Sequence, residues 1–185
     1  CWADAVNRRP PNIVYVLADD MGFGDLACNG DDSKIPTPNL DRLAARGIRL
    51  TDMHATSAVC TPSRYSVLTG RYAWRTPLKE GIVWPWDAPL IAEDQPTVAD
   101  HLRDNGYRTA CVGKWHLGWQ WATKDGSHPN DTLPFGTYCD DERAAYEGNI
   151  DYSRPVAGGP VDRGFDTYFG VDVPNFTPYT WFVDD

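Results

Sequence analysis

No apolar run in this chain approaches the roughly 20 residues that a bilayer-spanning helix needs. A leader of the charged, apolar, small-residue type is also missing from its start. Together these absences lead to the expectation of a soluble protein. Basic charge is scarce: 17 Lys and Arg stand against 26 Asp and Glu, a net charge of −9 with no basic cluster. Nucleic acid is therefore not an expected partner, because phosphate backbones are held by concentrated Lys and Arg. The acidity suits a soluble protein with a cation site. What remains is 185 residues, 42% hydrophobic and 23% charged, enough for one globular domain or part of a larger one.

An initiating methionine is missing too. A start at Cys1 suggests a mature or trimmed product. A processed bacterial lipoprotein would begin with a lipid-modified cysteine in the same way, and a clipped signal remnant explains the same start without a lipid. Membrane attachment is expected only if Cys1 carries a lipid. The five cysteines are odd in number, so at least one stands outside any set of intramolecular disulfides. Cys111, in the apolar run 109–112, reads as a small buried side chain. Cys28 and Cys139 sit in polar, turn-rich surroundings and are candidates to pair. Cys60 belongs to neither group.

Asn12 to Leu17 is a short apolar, β-branched run between Pro10-Pro11 and Asp19-Asp20, the pattern of a buried strand in a parallel sheet. Residues 37–47 carry Thr37 as N-cap, Pro38 at the first helical position and Gly47 after the end, which predicts a helix. Residues 48–55 look extended, and a helix opened by Pro62 is expected from Ser63 to Arg71. A further helix over 97–105, stopped by Gly106, leads into a strand over 107–112. Alternating strand and helix imply an α/β layer with a mostly parallel sheet flanked by helices. Ligands in such sheets bind beyond the carboxyl ends of the strands. Three polar motifs each follow an expected strand: Asp19-Asp20, Cys60 to Arg64, and Lys114 to His116. After about residue 120 the pattern weakens into a loop rich in Gly, Pro, Asp and Asn. Gly164 to Gly170 then reads as a short strand or turn packing aromatics.

Asp19 and Asp20 offer hard carboxylate oxygens suited to Ca²⁺ or Mg²⁺, although two acids in a turn are commonly solvated or capping residues. The glycines of Asp-Asp-Met-Gly-Phe-Gly-Asp let the backbone bend close to an ion, and the company of two cationic motifs favours metal binding. Cys60 is open to three fates: a buried thiol, a thiolate nucleophile, or the precursor of an aldehyde. The Pro and Arg at fixed offsets in Cys60-Thr61-Pro62-Ser63-Arg64 favour the third. With a helix opening at Pro62, Arg64 lies one turn from Cys60 and can hold an oxyanion, beside the partial positive charge of the helix start. Lys114 and His116 put a point cation and a titratable imidazole two residues apart, able to neutralise an anionic oxygen and exchange a proton.

These motifs in combination resemble the sulfatase family, of arylsulfatase type within the alkaline phosphatase superfamily. The similarity runs through residues 12–24, 36–43, 57–74, 97–119 and 164–170, most of the chain. The resemblance implies an alkaline phosphatase-like fold and hydrolysis of aryl or carbohydrate sulfate esters. It implies that a formylglycine-generating enzyme converts Cys60 to formylglycine during maturation. One hydroxyl of the aldehyde hydrate then attacks sulfur and expels the alcohol, and loss of the second hydroxyl's proton ejects sulfate and restores the aldehyde. By the same resemblance Asp19, Asp20 and residue 60 approach a calcium ion, Arg64 steadies the formylglycine, Lys114 binds sulfate and nucleophile, and His116 hydrogen-bonds the hydrate. Periplasmic location or secretion is implied as well.

The family also carries an Asp-Asn pair, a further histidine and a further lysine, and no segment before Asp185 matches them. Residues 1–185 are thus expected to be a truncated, N-terminal portion of the catalytic domain, inactive when isolated. A phosphonate or phosphate ester hydrolase of the same superfamily is the alternative enzyme, since a tetrahedral dianion fits the same cations. A cation-binding homologue without the aldehyde is the non-enzyme alternative. Trp74, Trp84, Trp86, Trp115, Trp119 and Trp181 are not assigned to substrate, because such side chains usually anchor a core or a loop.

Overall fold

The structure, a computed structural model, describes residues 10–30, 33–138 and 140–184. Cys1, considered above for lipidation, and Cys139, considered as a partner for Cys28, lie outside them; Cys28, Cys60 and Cys111 are free thiols. The chain divides into two compact units, Cys1–Met53 and His54–Asp185.

In the first unit, helix α1 spans Pro38–Arg46 between the expected marks, with Pro38 at its start and the Gly47 N–H closing on the Leu43 carbonyl. Thr37 does not cap it in the expected way. Its hydroxyl instead donates to Asp41 and accepts from the Ala27 N–H, and Asp41 also accepts from the Cys28 N–H at 2.9 Å. Those bonds tie α1 to the short 3₁₀ turn Ala27–Asn29, and the Asn29 amide donates to the Phe23 carbonyl of a second, Phe23–Asp25. The strand expected over 12–17 is not formed: the residues join no ladder, with Val14 86% and Val16 83% exposed. Residues 48–55 form no strand either, and Ile48, Leu50 and Met53 are exposed. An apolar run becomes a strand only when a neighbour accepts its N–H groups and covers a face. All strands among the described residues fall in the second unit.

The second unit holds helices α2 (Cys60–Thr69), α3 (Val98–Asp104) and α4 (Asp140–Asn149), and strands β1 (Ala110–Lys114), β2 (Thr167–Val171) and β3 (Phe182–Val183). Thr97 and Asp100 close a capping box at the start of α3, each side chain accepting the other's backbone N–H. From there the chain turns into β1, which begins three residues later than expected and runs on through Gly113 and Lys114. β1 pairs in parallel with β2, from Ala110 opposite Thr167 to Lys114 opposite Val171, and β3 adds to β2 antiparallel. The outcome is a small mixed sheet flanked by helices.

Helix α4 lies in the stretch that composition marked as loop. Its sequence gives no apolar periodicity to read. The core is built on aromatics from the 115–121 segment. Trp119 stacks on Phe182 at 4.4 Å between centroids, and Trp121 meets Trp86 edge to face at 4.9 Å. Trp86, Trp115 and Trp119 are buried, as their core assignment requires, while Trp74 and Trp181 are exposed.

Candidate active site

Helix α2 begins at Cys60 itself, two residues before Pro62, with Val59 still extended at φ −127° and ψ 159°. Cys60 therefore occupies the first helical residue, beside N–H groups that have no carbonyl within the helix to bond. The Ser63 hydroxyl donates to the Ser57 carbonyl at 2.9 Å and draws the entering loop onto that end. Gly70, in the left-handed conformation, ends the helix, its N–H on the Ser66 carbonyl.

The Gly113 to Gly118 segment is a curled continuation of β1. Gly113, His116 and Gly118 all have positive φ, at 104°, 58° and 79°. At Gly118 a side chain is excluded twice over, because an added Cβ would lie 2.1 Å from the Ala88 carbonyl oxygen. The curl turns His116 inward to 1% exposure. There the imidazole Nε2 lies 2.8 Å from the Val83 carbonyl oxygen. A carbonyl only accepts, so Nε2 carries the proton, and in the neutral ring Nδ1 is the basic nitrogen.

Two hydrogen bonds bring this curl to the start of α2, and a third ties Val83 to the Thr61 hydroxyl. The Thr61 hydroxyl, wholly buried, donates to the His116 carbonyl at 3.0 Å and accepts the Val83 N–H at 3.2 Å. Arg64, one turn along the helix from Cys60, donates from Nη1 to the Lys114 carbonyl at 2.6 Å. The residue beside Cys60 and the residue four beyond it are thus both fastened to the Lys114–His116 segment. Nothing in the sequence motifs marked Thr61 as a fastener; a small hydroxyl residue following a candidate nucleophile was the available signal.

Behind the curl, Asp172 is 3% exposed, and its Oδ1 accepts the His116 N–H at 3.2 Å. Burial pushes its carboxyl up to about 6, opposed by the nearby Trp119 indole, the His116 N–H and the Lys114 cation, and reinforced by Asp87. The indole N–H faces the carboxylate without closing a well-formed hydrogen bond. Cys111, on β1, has its thiol raised to about 11 by burial, with Arg64 pulling the other way, which suits an inert thiol. An open cleft lined by Ser57, Val59, Pro62, Tyr72, Trp74 and Lys79 runs along the other flank of α2.

Asp19 and Asp20 belong to the first unit, in an exposed bend with Asp20 at φ 56°. Their carboxylates are hard oxygen donors of the kind that Ca²⁺ or Mg²⁺ takes, and two carboxylates alone fall short of the six to eight oxygens of a Ca²⁺ shell. No group of three or more His, Cys, Asp or Glu suited to a metal occurs among the described residues.

The model of the sulfatase family matches residues 11–174, and the chain belongs to that family. An N-acetylgalactosamine-6-O-sulfatase of Bacteroides thetaiotaomicron is 50% identical over 113 residues, covering 60% of this chain and 22% of that protein. Human arylsulfatase A is 48% identical over 110 residues, again 60% of this chain and 22% of the relative. Among solved structures, a 6S-sulf protein of the core glycosaminoglycan-metabolism locus of B. thetaiotaomicron superposes with a TM-score of 0.72 at 36% identity, covering 94% of this chain and 31% of that one. The chain therefore spans less than a third of the length of each.

Proposed function

We propose that this chain carries the nucleophile half of a sulfuric ester hydrolase, the N-terminal portion of a sulfatase catalytic domain, with Cys60 converted to formylglycine. One observation carries the proposal: Arg64 and Thr61 fasten the start of α2 to the Lys114–His116 curl, through bonds of 2.6 and 3.0 Å. That arrangement joins the helix N-terminus at residue 60 to the Lys114–His116 backbone, and the proposal assigns to the nucleophile there the guanidinium, ammonium and imidazole of Arg64, Lys114 and His116. A sulfate ester develops negative charge on its oxygens and on the leaving oxygen as the S–O bond breaks, and such a site favours that charge.

Within the proposal, Arg64 holds the residue-60 side chain, Lys114 binds a sulfate oxygen, and His116 accepts or returns a proton. Asp19 and Asp20 are the proposed carboxylate ligands of a calcium ion. A bound Ca²⁺ would supply charge neutralisation for the substrate anion. A carbohydrate sulfate is the proposed substrate class, supported by the name of the Bacteroides relative. Export to the periplasm or the exterior completes the proposal.

The test is the mass of the tryptic peptide Leu50 to Arg64 from protein made with a formylglycine-generating enzyme. Conversion of Cys60 removes about 18 Da. An intact cysteine, beside a control sulfatase converted in the same cells, would reject the aldehyde mechanism and promote the non-catalytic cation-binding homologue. Given conversion, faster turnover of an aryl phosphonate than of an aryl sulfate would move the assignment to phosphonate ester hydrolysis.

A further inference from the structure

Asp172 stands one residue past the end of β2, in the interior, bonded to the Lys114–His116 curl. Its Oδ1 takes the N–H of His116, the one residue of the curl that adopts positive φ without being a glycine. L-residues avoid that conformation, so something must hold the backbone there. The preceding N–H, of Trp115, is held at 2.9 Å by the Val171 carbonyl. The carbonyls of Lys114 and His116 are taken by Arg64 and Thr61. On the N–H side of His116 the acceptor is the Asp172 carboxylate.

We propose that Asp172 is a positioning residue: it fixes the backbone at His116, and through it sets the imidazole and the neighbouring Lys114 ammonium for catalysis. The proposal rests on the sulfate ester hydrolase assignment of the same site. The second buried acid of the region behaves differently. Asp87 accepts the Trp84 N–H at 2.7 Å and the Asn130 amide at 2.9 Å, so its carboxylate closes a structural turn. Asp172 reaches the reactive segment directly. Its ionised form accepts more strongly than a neutral oxygen would, and it sets a negative charge near Lys114. The groups that face it are the Asp87 carboxylate, the Lys114 ammonium, the Tyr168 phenol from β2, and His116 itself. Burial keeps the Asp172 carboxyl up to about 6, so the ionised acceptor is lost as pH falls through that value.

The experiment compares Asp172→Asn and Asp172→Ala with the wild type, in the full-length enzyme of which residues 1–185 are the proposed N-terminal portion, with residue 60 converted, using an aryl sulfate. Asp172→Asn keeps an acceptor of the same shape and removes the charge. The expected result is a loss of about ten-fold in kcat with KM nearly unchanged, and disappearance of the acid limb near pH 6, without a lower melting temperature. Asp172→Ala should lose more, with Asp172→Asn recovering part of that loss. Wild-type kcat and pH profile in Asp172→Asn would overturn the proposal, as would a loss that follows a fallen melting temperature. A second readout is independent of turnover: the backbone amide resonance of His116 should shift across that pH in the wild type and stay still in Asp172→Asn. Absence of that shift in the wild type overturns the positioning role. A wild type that shifts but hydrolyses no sulfate ester rejects the sulfatase assignment alone.

Discussion

Ile13 to Leu17 and Trp115 to Trp121 are both short apolar segments, and they meet opposite fates. The first lies outside any ladder with Val14 and Val16 more than four-fifths exposed, whereas Trp115, His116, Leu117, Trp119 and Trp121 are each at most 3% exposed. Hydrophobicity does not separate them, since the β-branched run is the more apolar. Partners do. The Trp115 and Gln120 N–H groups find the Val171 and Ala157 carbonyls, and Trp119 finds Phe182 and Tyr168. No residue of 12–17 is assigned to a ladder. Apolar content therefore supplies the drive toward burial, and backbone partners decide whether a segment can take it.

The widest separation between the two segments should come from truncating the aromatic centre. Trp119→Ala removes a ring in contact with Phe182 and Tyr168, and is expected to destabilise the second unit by about 3–5 kcal/mol. Chemical denaturation followed by fluorescence of the remaining tryptophans measures it. A loss below about 1 kcal/mol would mean that the core closes around the gap, and that burial here follows something other than packing.

That dependence on partners also sets what could be read without coordinates. Helix α1 was legible because Pro38 and Gly47 are local marks, and α3 because Thr97 and Gly106 bracket it. The start of α2 was misplaced by two residues: Pro62 permits a first turn anywhere in its neighbourhood, and the bonds of Thr61 to His116 and Val83, invisible in sequence, pull it back to Cys60. Strand β1 was displaced because Gly113 looked like an end, whereas its pairing with Gly170 carries the strand through it. Arg64, Lys114 and His116 were found as types, and the coordinates show them joined within one unit. Asp172 was missed, although an acid directly after a strand was the same signal that drew attention to Asp19 and Asp20. Its partner is 56 residues away, and no periodicity carries that distance.

An intermediate effect is expected within the buried segment itself, at Asp172. Its folded carboxyl sits at about 6 against an ordinary 3.8, so the fold gains stability from protonation. That contribution is complete below the ordinary value and is lost as pH rises through about 6. At neutral pH, ionisation of the buried group costs on the order of 3 kcal/mol, taking 1.36 kcal/mol per pH unit between 3.8 and about 6. Asp172→Asn should therefore be more stable than the wild type at pH 7, by up to about that amount, with the difference gone below the ordinary carboxylate value. Thermal unfolding across pH checks it. A variant less stable at pH 7 would mean that the charge contributes to the fold, which removes the contrast between stability and positioning at this residue.

The smallest effect belongs to the exposed run. In the polypeptide of residues 1–185, Val14 is 86% exposed and outside any ladder, so Val14→Ser removes little buried area. The expected change in unfolding free energy is within about 0.5 kcal/mol, and the amides of 13–17 should exchange with deuterium far faster than those of 167–171. Loss of about 1 kcal/mol or more, or slow exchange at Val14 and Val16, would show that the run has found a ladder. The difference between the two segments would then lie in which partner each recruits, and the expectation of a strand at 12–17 would be restored.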